Sequence, residues 1–382
     1  MSSRTIHVTS LAQLEELTRR PIPEQERQAL QQVLDTFPVR LSAHLVELMR
    51  RSPAVAAQFL PDAREVTELD GQTRCFSGLL HGGVHGVERM YPDRCILLPH
   101  PVCPAYCRFC FRKFYDDGGG KALSYPELDA ALDYVARETE LCEVLITGGE
   151  PVMDPKRLRY LLEGLRRLPH IGPVRIACRS LIMEPSLIDD ALVALLREHQ
   201  DLRAGRPVEV ALHANHPDEL TAPTVDALAR LREAGLHVYN QAVLLRGVNL
   251  DADTLLALFR RLRRHGVESY YLFFGGPVQG MQHMRPSIAE ALALKSELRR
   301  RSTGRAIPQL ILTTRLGKVE LGVDGWVVER EPDGRHVWIR TPYTLPGLTA
   351  IDPRFALPED ARLDADGQIV MRYLDGPTGD LA

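Results

Sequence analysis

Lysine is scarce in this chain. Of 47 basic residues, only Lys113, Lys121, Lys156, Lys295 and Lys318 are lysines, so chemistry that needs an amine has five candidates. Long apolar runs are missing too: none approaches the roughly 18 residues that span a bilayer, and the opening MSSRTIHVTS has no apolar h-region of a secretory signal. The expected compartment is therefore the cytoplasm, with no membrane partner, where thiols stay reduced. A net charge of -3 gives no basic footprint for nucleic acid. The seven cysteines are odd in number and crowded at one place, which favours a metal or catalytic role over a disulfide framework.

What is present is core material, 45% hydrophobic over 382 residues, enough for one large domain or two ordinary ones. The first 80 residues read as short helices. LAQLEELTRR and PEQERQALQQVLDTF carry apolar residues at helical spacing, and Pro21, Pro23, Pro38 and Pro53 divide the stretch. From about Arg94 the pattern changes. RCILL (94–98), EVLIT (143–147), VRIAC (174–178), VEVAL (208–212), HVYNQAVLL (237–245) and ESYYLFF (268–274) read as buried parallel strands, with amphipathic helical segments between them. Six such units in a row predict a parallel α/β architecture, a partial or full barrel or an open sheet. No G-x-G-x-x-G follows the first strand, which counts against a dinucleotide-binding sheet. After about residue 305, VELGVDGWVVER and RHVWIRTPY flank the turn signal EPDG and predict a β-rich extension. The expected division is a helical region over 1–88, an α/β core over 89–304 and a C-terminal segment over 305–382.

The stretch HPVCPAYCRFCFRKF (100–114) sets Cys103, Cys107 and Cys110 directly after the first core strand. In parallel α/β folds the loops at the carboxyl ends of strands build the active site. Three thiolates are one fewer than a closed zinc site or a fully ligated iron–sulfur cluster requires. His100 and Cys95 are the alternatives for a fourth ligand, but one is only three residues from Cys103 and the other lies inside the strand. Three ligands on a four-iron cluster leave one iron open.

The C-x₃-C-x-φ-C loop, with Phe109 as its aromatic residue, and the run Thr147-Gly148-Gly149-Glu150-Pro151 together resemble the signature of the radical S-adenosylmethionine superfamily. That resemblance implies a [4Fe–4S] cluster on Cys103, Cys107 and Cys110. It also implies S-adenosylmethionine at the open iron, with Gly148, Gly149 and Glu150 around its amino group, and a 5′-deoxyadenosyl radical that abstracts hydrogen. YPDR (91–94), CRFCFRK, ALHANHPDELT (211–221), NQAVLLRGVN (240–249) and YYLFFGGPVQGMQHMRP (270–286) resemble the lysine 2,3-aminomutase family over roughly residues 35–320. The fold implied is a partial (β/α)6 TIM-type barrel. The chemistry implied is migration of an amino group from C2 to C3 of an amino acid, with pyridoxal phosphate as a further cofactor and a flavodoxin- or ferredoxin-type reductant. Carried over by motif, Arg94 would bind the phosphate, His213 and Gln241 would lie near the cofactors, and Arg112 would clamp the substrate carboxylate. Lys318, in LILTTRLGKVELG, would be the lysine that carries pyridoxal phosphate.

The chain departs from these relatives in three places. Only Gly317 remains of the glycine run expected before the cofactor lysine. The aspartates that lysine-specific members use for the distant substrate amine fall here at Gly276 and at Thr313 or Thr314. Neither can counter a buried ammonium, so lysine is not the expected substrate, and Arg315 points to an acidic or polar side chain such as glutamate. No cysteine follows Cys178, so the zinc-type cysteines of some tetrameric relatives are missing and a homodimer is expected instead. The competing readings are a family member without pyridoxal phosphate, a lysine aminomutase acting in elongation factor P modification, and a noncatalytic metal-stabilised binding protein. Arg108 and Lys113 have no role that the sequence supplies.

Overall fold

The computed structural model describes residues 5–69, 71–73, 83–114, 121–314, 316–322 and 326–376. Strands β1 (Thr5–Val8) and β2 (Val39–Ser42) pair in an N-terminal hairpin sheet. Around it lie the helices Leu11–Thr18, Glu24–Thr36, Ala43–Arg51 and Pro53–Ala56 and a 3-10 turn over Ala63–Val66. Pro53 takes the first helical position, where its missing N–H is not needed.

The core is one nine-stranded sheet in simple chain order: β3 (Val87–Tyr91), β4 (Arg94–His100), β5 (Glu143–Gly148), β6 (Val174–Cys178), β7 (Val208–Leu212), β8 (His237–Leu244), β9 (Glu268–Phe274), β10 (Gln309–Thr314) and β11 (Gly317–Glu320). Strands β4 to β10 run parallel, and β3 and β11 are antiparallel edges. The six strands predicted from periodicity are all present. The seventh parallel strand, β10, and the β11 hairpin lie beyond residue 304, in the segment assigned by sequence to the extension.

Crossover helices connect the strands, each started by a side-chain cap. Asp154, Asp189, Thr221 and Asp251 accept from the backbone N–H three residues on, satisfying donors that the first turn leaves orphaned. The segment 185–199, which reads as one helix, divides into a 3-10 turn at Pro185–Leu187 and a helix at Asp190–His199, where the Asp189 cap restarts it. Strand alternation sends Val144, Ile146, Ile176, Val210, Val238, Leu272, Phe274 and Leu312 outward into the helix layer, forming the main core. Glu143, Arg175, Tyr239 and Gln241 take the opposite face, toward the lumen.

The run VELGVDGWVVER is split. Its first part belongs to β11 and its last to β12 (Val327–Arg330), which opens a separate sheet ordered β12–β13–β15–β14, with β13 at His336–Thr344, β14 at Ala361–Leu363 and β15 at Gln368–Leu374. Strand β13 and the helix Leu345–Ile351 pack against β11 and β3, the two edges of the core sheet. The Tyr343 hydroxyl spans that seam, donating to Lys318 O at 3.2 Å and lying 3.5 Å from the Tyr91 hydroxyl.

Candidate active site

The cysteine loop leaves β4 and runs against the turn after β5. Gly149 N donates to His100 O at 2.7 Å and Glu150 N to Val102 O at 2.9 Å. Gly148 has φ +113°, and a Cβ there would lie 2.8 Å from His100 O; a Cβ on Gly149 would overlap the backbone of Pro101 and Val102. Both glycines are therefore demanded by the cysteine loop itself, and the two sequence motifs form one structural unit.

Cys103, Cys107 and Cys110 retain partial exposure. Burial pushes the Cys107 thiol up to about 12 and Cys103 well above its usual value, and each also feels the charge of its neighbouring cysteines. Such thiols shed protons only to a cation. A single tetrahedral zinc needs sulfurs about 3.8 Å apart. Among the described residues, Glu331, Asp333 and His336 draw their ligand atoms within 4.8 Å, but the three thiols do not. Three thiols on one loop fit a four-iron cluster that leaves one iron open. The Glu331 group is satisfied internally, Glu331 by Arg372 and Trp338 and Asp333 by His336.

Above the thiols, Glu150 is buried and accepts from Arg179 N at 2.9 Å; burial raises its carboxyl to about 7. His213 packs edge-on to Phe109 of the cysteine loop, with centroids 5.5 Å apart. Burial and the Arg179 charge hold its imidazole well below the usual range, so the ring is neutral. The β7–β8 register pairs Leu212 with Asn240, which places His213 and Gln241 side by side. Gln241 in turn pairs with Tyr271 of β9.

That row leads to Lys318. Its amine lies 4.6 Å from the Tyr271 ring centroid and 5.1 Å from that of Phe273. The residue faces the lumen and keeps partial exposure, yet protein surrounds the amine. Burial, then the charges of Arg94 and Arg175, hold it well below the lysine range, which favours the free, nucleophilic amine. Arg94 and Arg175 share Glu143, and the Arg94 Nε is buried without a partner. The lone glycine before Lys318 has its own cause. A Cβ on Gly317, at φ +136°, would overlap the Tyr343 ring and hydroxyl, and that hydroxyl accepts from Lys318 N at 2.8 Å.

Other motif residues build structure. The Asn240 side chain bonds Ala214 N and O, and Asn249 bonds Leu245 N, Asn215 O and Val243 O. His216 caps Asp218 N, Arg246 pairs with Glu290 at 2.7 Å, and Arg285 ties Gly275 O to Leu374 O. Thr314 bonds Gly317 O within the β10–β11 turn, while Thr313 stands opposite Lys318.

Arg112, read as a substrate clamp, forms a two-point pair with Glu88 of β3 at 2.8 and 2.9 Å, so an internal carboxylate fills its fork. Arg315 lies outside the described residues. Sequence reasoning missed Gln58, Glu65, Glu88, Arg175, Arg179 and Tyr343. Gln58, Glu65 and Tyr343 come from the cap or the second sheet, far from any motif; Glu88 lies on the edge strand just before YPDR, and neither it nor Arg175 and Arg179 had a spacing signal.

A nearly closed parallel sheet with a three-cysteine loop on its first parallel strand and a glycine turn on the second defines a radical S-adenosylmethionine enzyme. A profile of the Radical SAM superfamily matches residues 97–259. Two proteins of Aquifex aeolicus bearing a provisional L-lysine 2,3-aminomutase name align at 31% identity over 78% of this chain and 81% of theirs, and at 37% over 59% and 60%. Glutamate 2,3-aminomutase of Clostridioides difficile is 32% identical over 60% of this chain and 54% of its own length. The chain belongs to the lysine 2,3-aminomutase family, as a divergent member. No described helix is long and apolar enough to cross a membrane.

Proposed function

We propose that the protein is an amino-acid 2,3-aminomutase that uses pyridoxal phosphate beside S-adenosylmethionine, on a substrate with an acidic or polar side chain. The observation that carries this reading is the buried Lys318 amine in the lumen, held well below the lysine range by burial and by the charges of Arg94 and Arg175. A buried amine that gives up its proton more readily than a solvated one suits covalent capture of an aldehyde, and two guanidinium groups suit a phosphate. The bound groups would supply the radical chemistry and the stabilisation of the migrating centre. The chain's residues supply the rest. Cys103, Cys107 and Cys110 would hold iron, Glu150 would accept from a ligand ammonium, and neutral His213 and Gln241 would line the path from cluster to lysine. Tyr343 fixes the Lys318 peptide, and Tyr271 and Phe273 shield the amine from water.

Substrate choice follows from the acids. Among the described residues, lumen-facing Glu88 and Glu143 are already engaged by Arg112 and by Arg94 with Arg175, Glu209 lies near the N-terminal end of β7 with His237 at 4.0 Å, and Gly276, Thr313 and Thr314 carry no charge. A long cationic side chain would sit there uncompensated. The glutamate-acting relative supports an acidic alternative. The test is an amino-acid panel given to the anaerobically reconstituted enzyme with reductant and scored for β-amino product. Turnover of glutamate or another polar amino acid is expected; turnover of lysine alone would sink the substrate assignment. Retention of pyridoxal phosphate by Lys318→Ala equal to wild type would sink the assignment of Lys318 as its covalent anchor.

A further inference from the structure

The turn after helix Pro53–Ala56 puts Gln58, fully buried, at the meeting point of three active-site loops. Its carbonyl accepts from Arg108 N of the cysteine loop at 2.8 Å. Its side-chain oxygen accepts from Arg179 Nη2 at 2.8 Å and Asn215 Nδ2 at 2.9 Å, beyond β6 and β7. The opposite amide donates to Ala54 O at 3.3 Å, which fixes which way the side chain points.

Arg179 is held but not saturated. Only 6% exposed, it lies 5.2 Å from the Phe59 ring centroid and 4.8 Å from that of Phe109, and Nη2 also reaches Glu219 at 3.4 Å. Its Nε and Nη1 are buried with no hydrogen-bond partner. A buried guanidinium with two unused donors is costly, and its planar fork matches a carboxylate. Phe109, against which the guanidinium packs, belongs to the cysteine loop and also touches His213, so the unused donors lie between that loop and β7. Glu150 Oε1, also buried and without a partner, offers an acceptor in the same region. A donor fork and a carboxylate together suit an α-amino acid group, and S-adenosylmethionine presents one.

We propose that Gln58 is a positioning residue of the S-adenosylmethionine site. It acts through Arg179, whose free donors take the ligand's carboxylate. The inference rests on the radical S-adenosylmethionine reading of the cysteine loop. It gives the N-terminal cap a part in ligand binding that no motif announces.

The experiment compares the reconstituted wild type with Gln58→Met, which keeps volume but loses the acceptor. Equilibrium dialysis measures binding of S-adenosylmethionine and of its decarboxylated analogue. Gln58→Met should weaken S-adenosylmethionine about tenfold, the size of one charge-assisted hydrogen bond, and leave the decarboxylated analogue within about twofold. Equal weakening of both ligands, or of neither, overturns the proposal. If Gln58→Met loses its iron, Gln58→Glu, which keeps an acceptor for Arg179, is compared instead: S-adenosylmethionine binding within about twofold of wild type is expected, and a tenfold loss overturns the proposal. Absence of S-adenosylmethionine binding by iron-loaded wild type would instead overturn the underlying reading of the site.

Discussion

Glu65 of the N-terminal cap and Arg108 of the cysteine loop form a two-point ion pair, Nε to Oε1 at 2.9 Å and Nη2 to Oε2 at 2.5 Å. The same carboxylate holds Lys113 Nζ at 2.5 Å, and all three side chains are 5% exposed or less. The two cations with no role in the sequence thus flank the cysteines as the anchor of their loop. Removing one partner of a buried ionic group leaves the others uncompensated. Glu65→Gln should cost about 3–5 kcal/mol, read by urea denaturation, and should lower the iron retained after reconstitution. Unchanged stability would show that water reaches the site.

The glycine turn makes a sharper claim. Gly149→Ala adds a methyl group into the Pro101–Val102 backbone, so the cysteine loop has to shift while the outer core is untouched. Circular dichroism should stay as in wild type and iron content should fall severalfold. Full cluster occupancy in this variant would mean the loop yields without cost.

Lys318 gives a pH prediction. An ordinary lysine titrates near 10.4, so its free amine rises about tenfold per pH unit between 7 and 9. Burial and the two neighbouring arginines hold Lys318 well below that range, so more of its amine is free at pH 7 and the rate of pyridoxal phosphate capture, measured by reductive trapping, should rise by clearly less than tenfold per unit over that window. A tenfold rise per unit would refute the depressed value. The same shift acts on stability. The unfolded lysine binds a proton that the folded one lacks, so stability rises with pH until the unfolded pKa is passed.

Arg112 offers a test by competition. Its fork is filled by Glu88, so a substrate carboxylate has to displace an internal one. Glu88→Gln removes the competitor and should lower KM for the preferred amino acid severalfold with little change in kcat. A raised KM would show that Glu88 orients Arg112 instead of blocking it.

The sequence made the barrel legible because its strands are short buried runs bounded by capped helices, and VRIAC, VEVAL and ESYYLFF match β6, β7 and β9 residue for residue. The cysteine and glycine motifs were legible because backbone contact fixes their spacing. Strand β10 was harder to place, since its run precedes a tight hairpin and merges with the extension. Gln58, Glu65 and Tyr343 were invisible. Each reaches the site through a tertiary contact from another layer, at separations of 121, 43 and 25 residues from Arg179, Arg108 and Lys318, and no periodicity records such a meeting.

Cys103 and Cys107 pack against the apolar cluster formed by Leu41, Leu45, Val55 and Phe59 of the cap. The cap is therefore one wall of the thiol site as well as a cover for the barrel. Thinning that wall, as Leu45→Ala would, should loosen the hold on iron without touching a ligand.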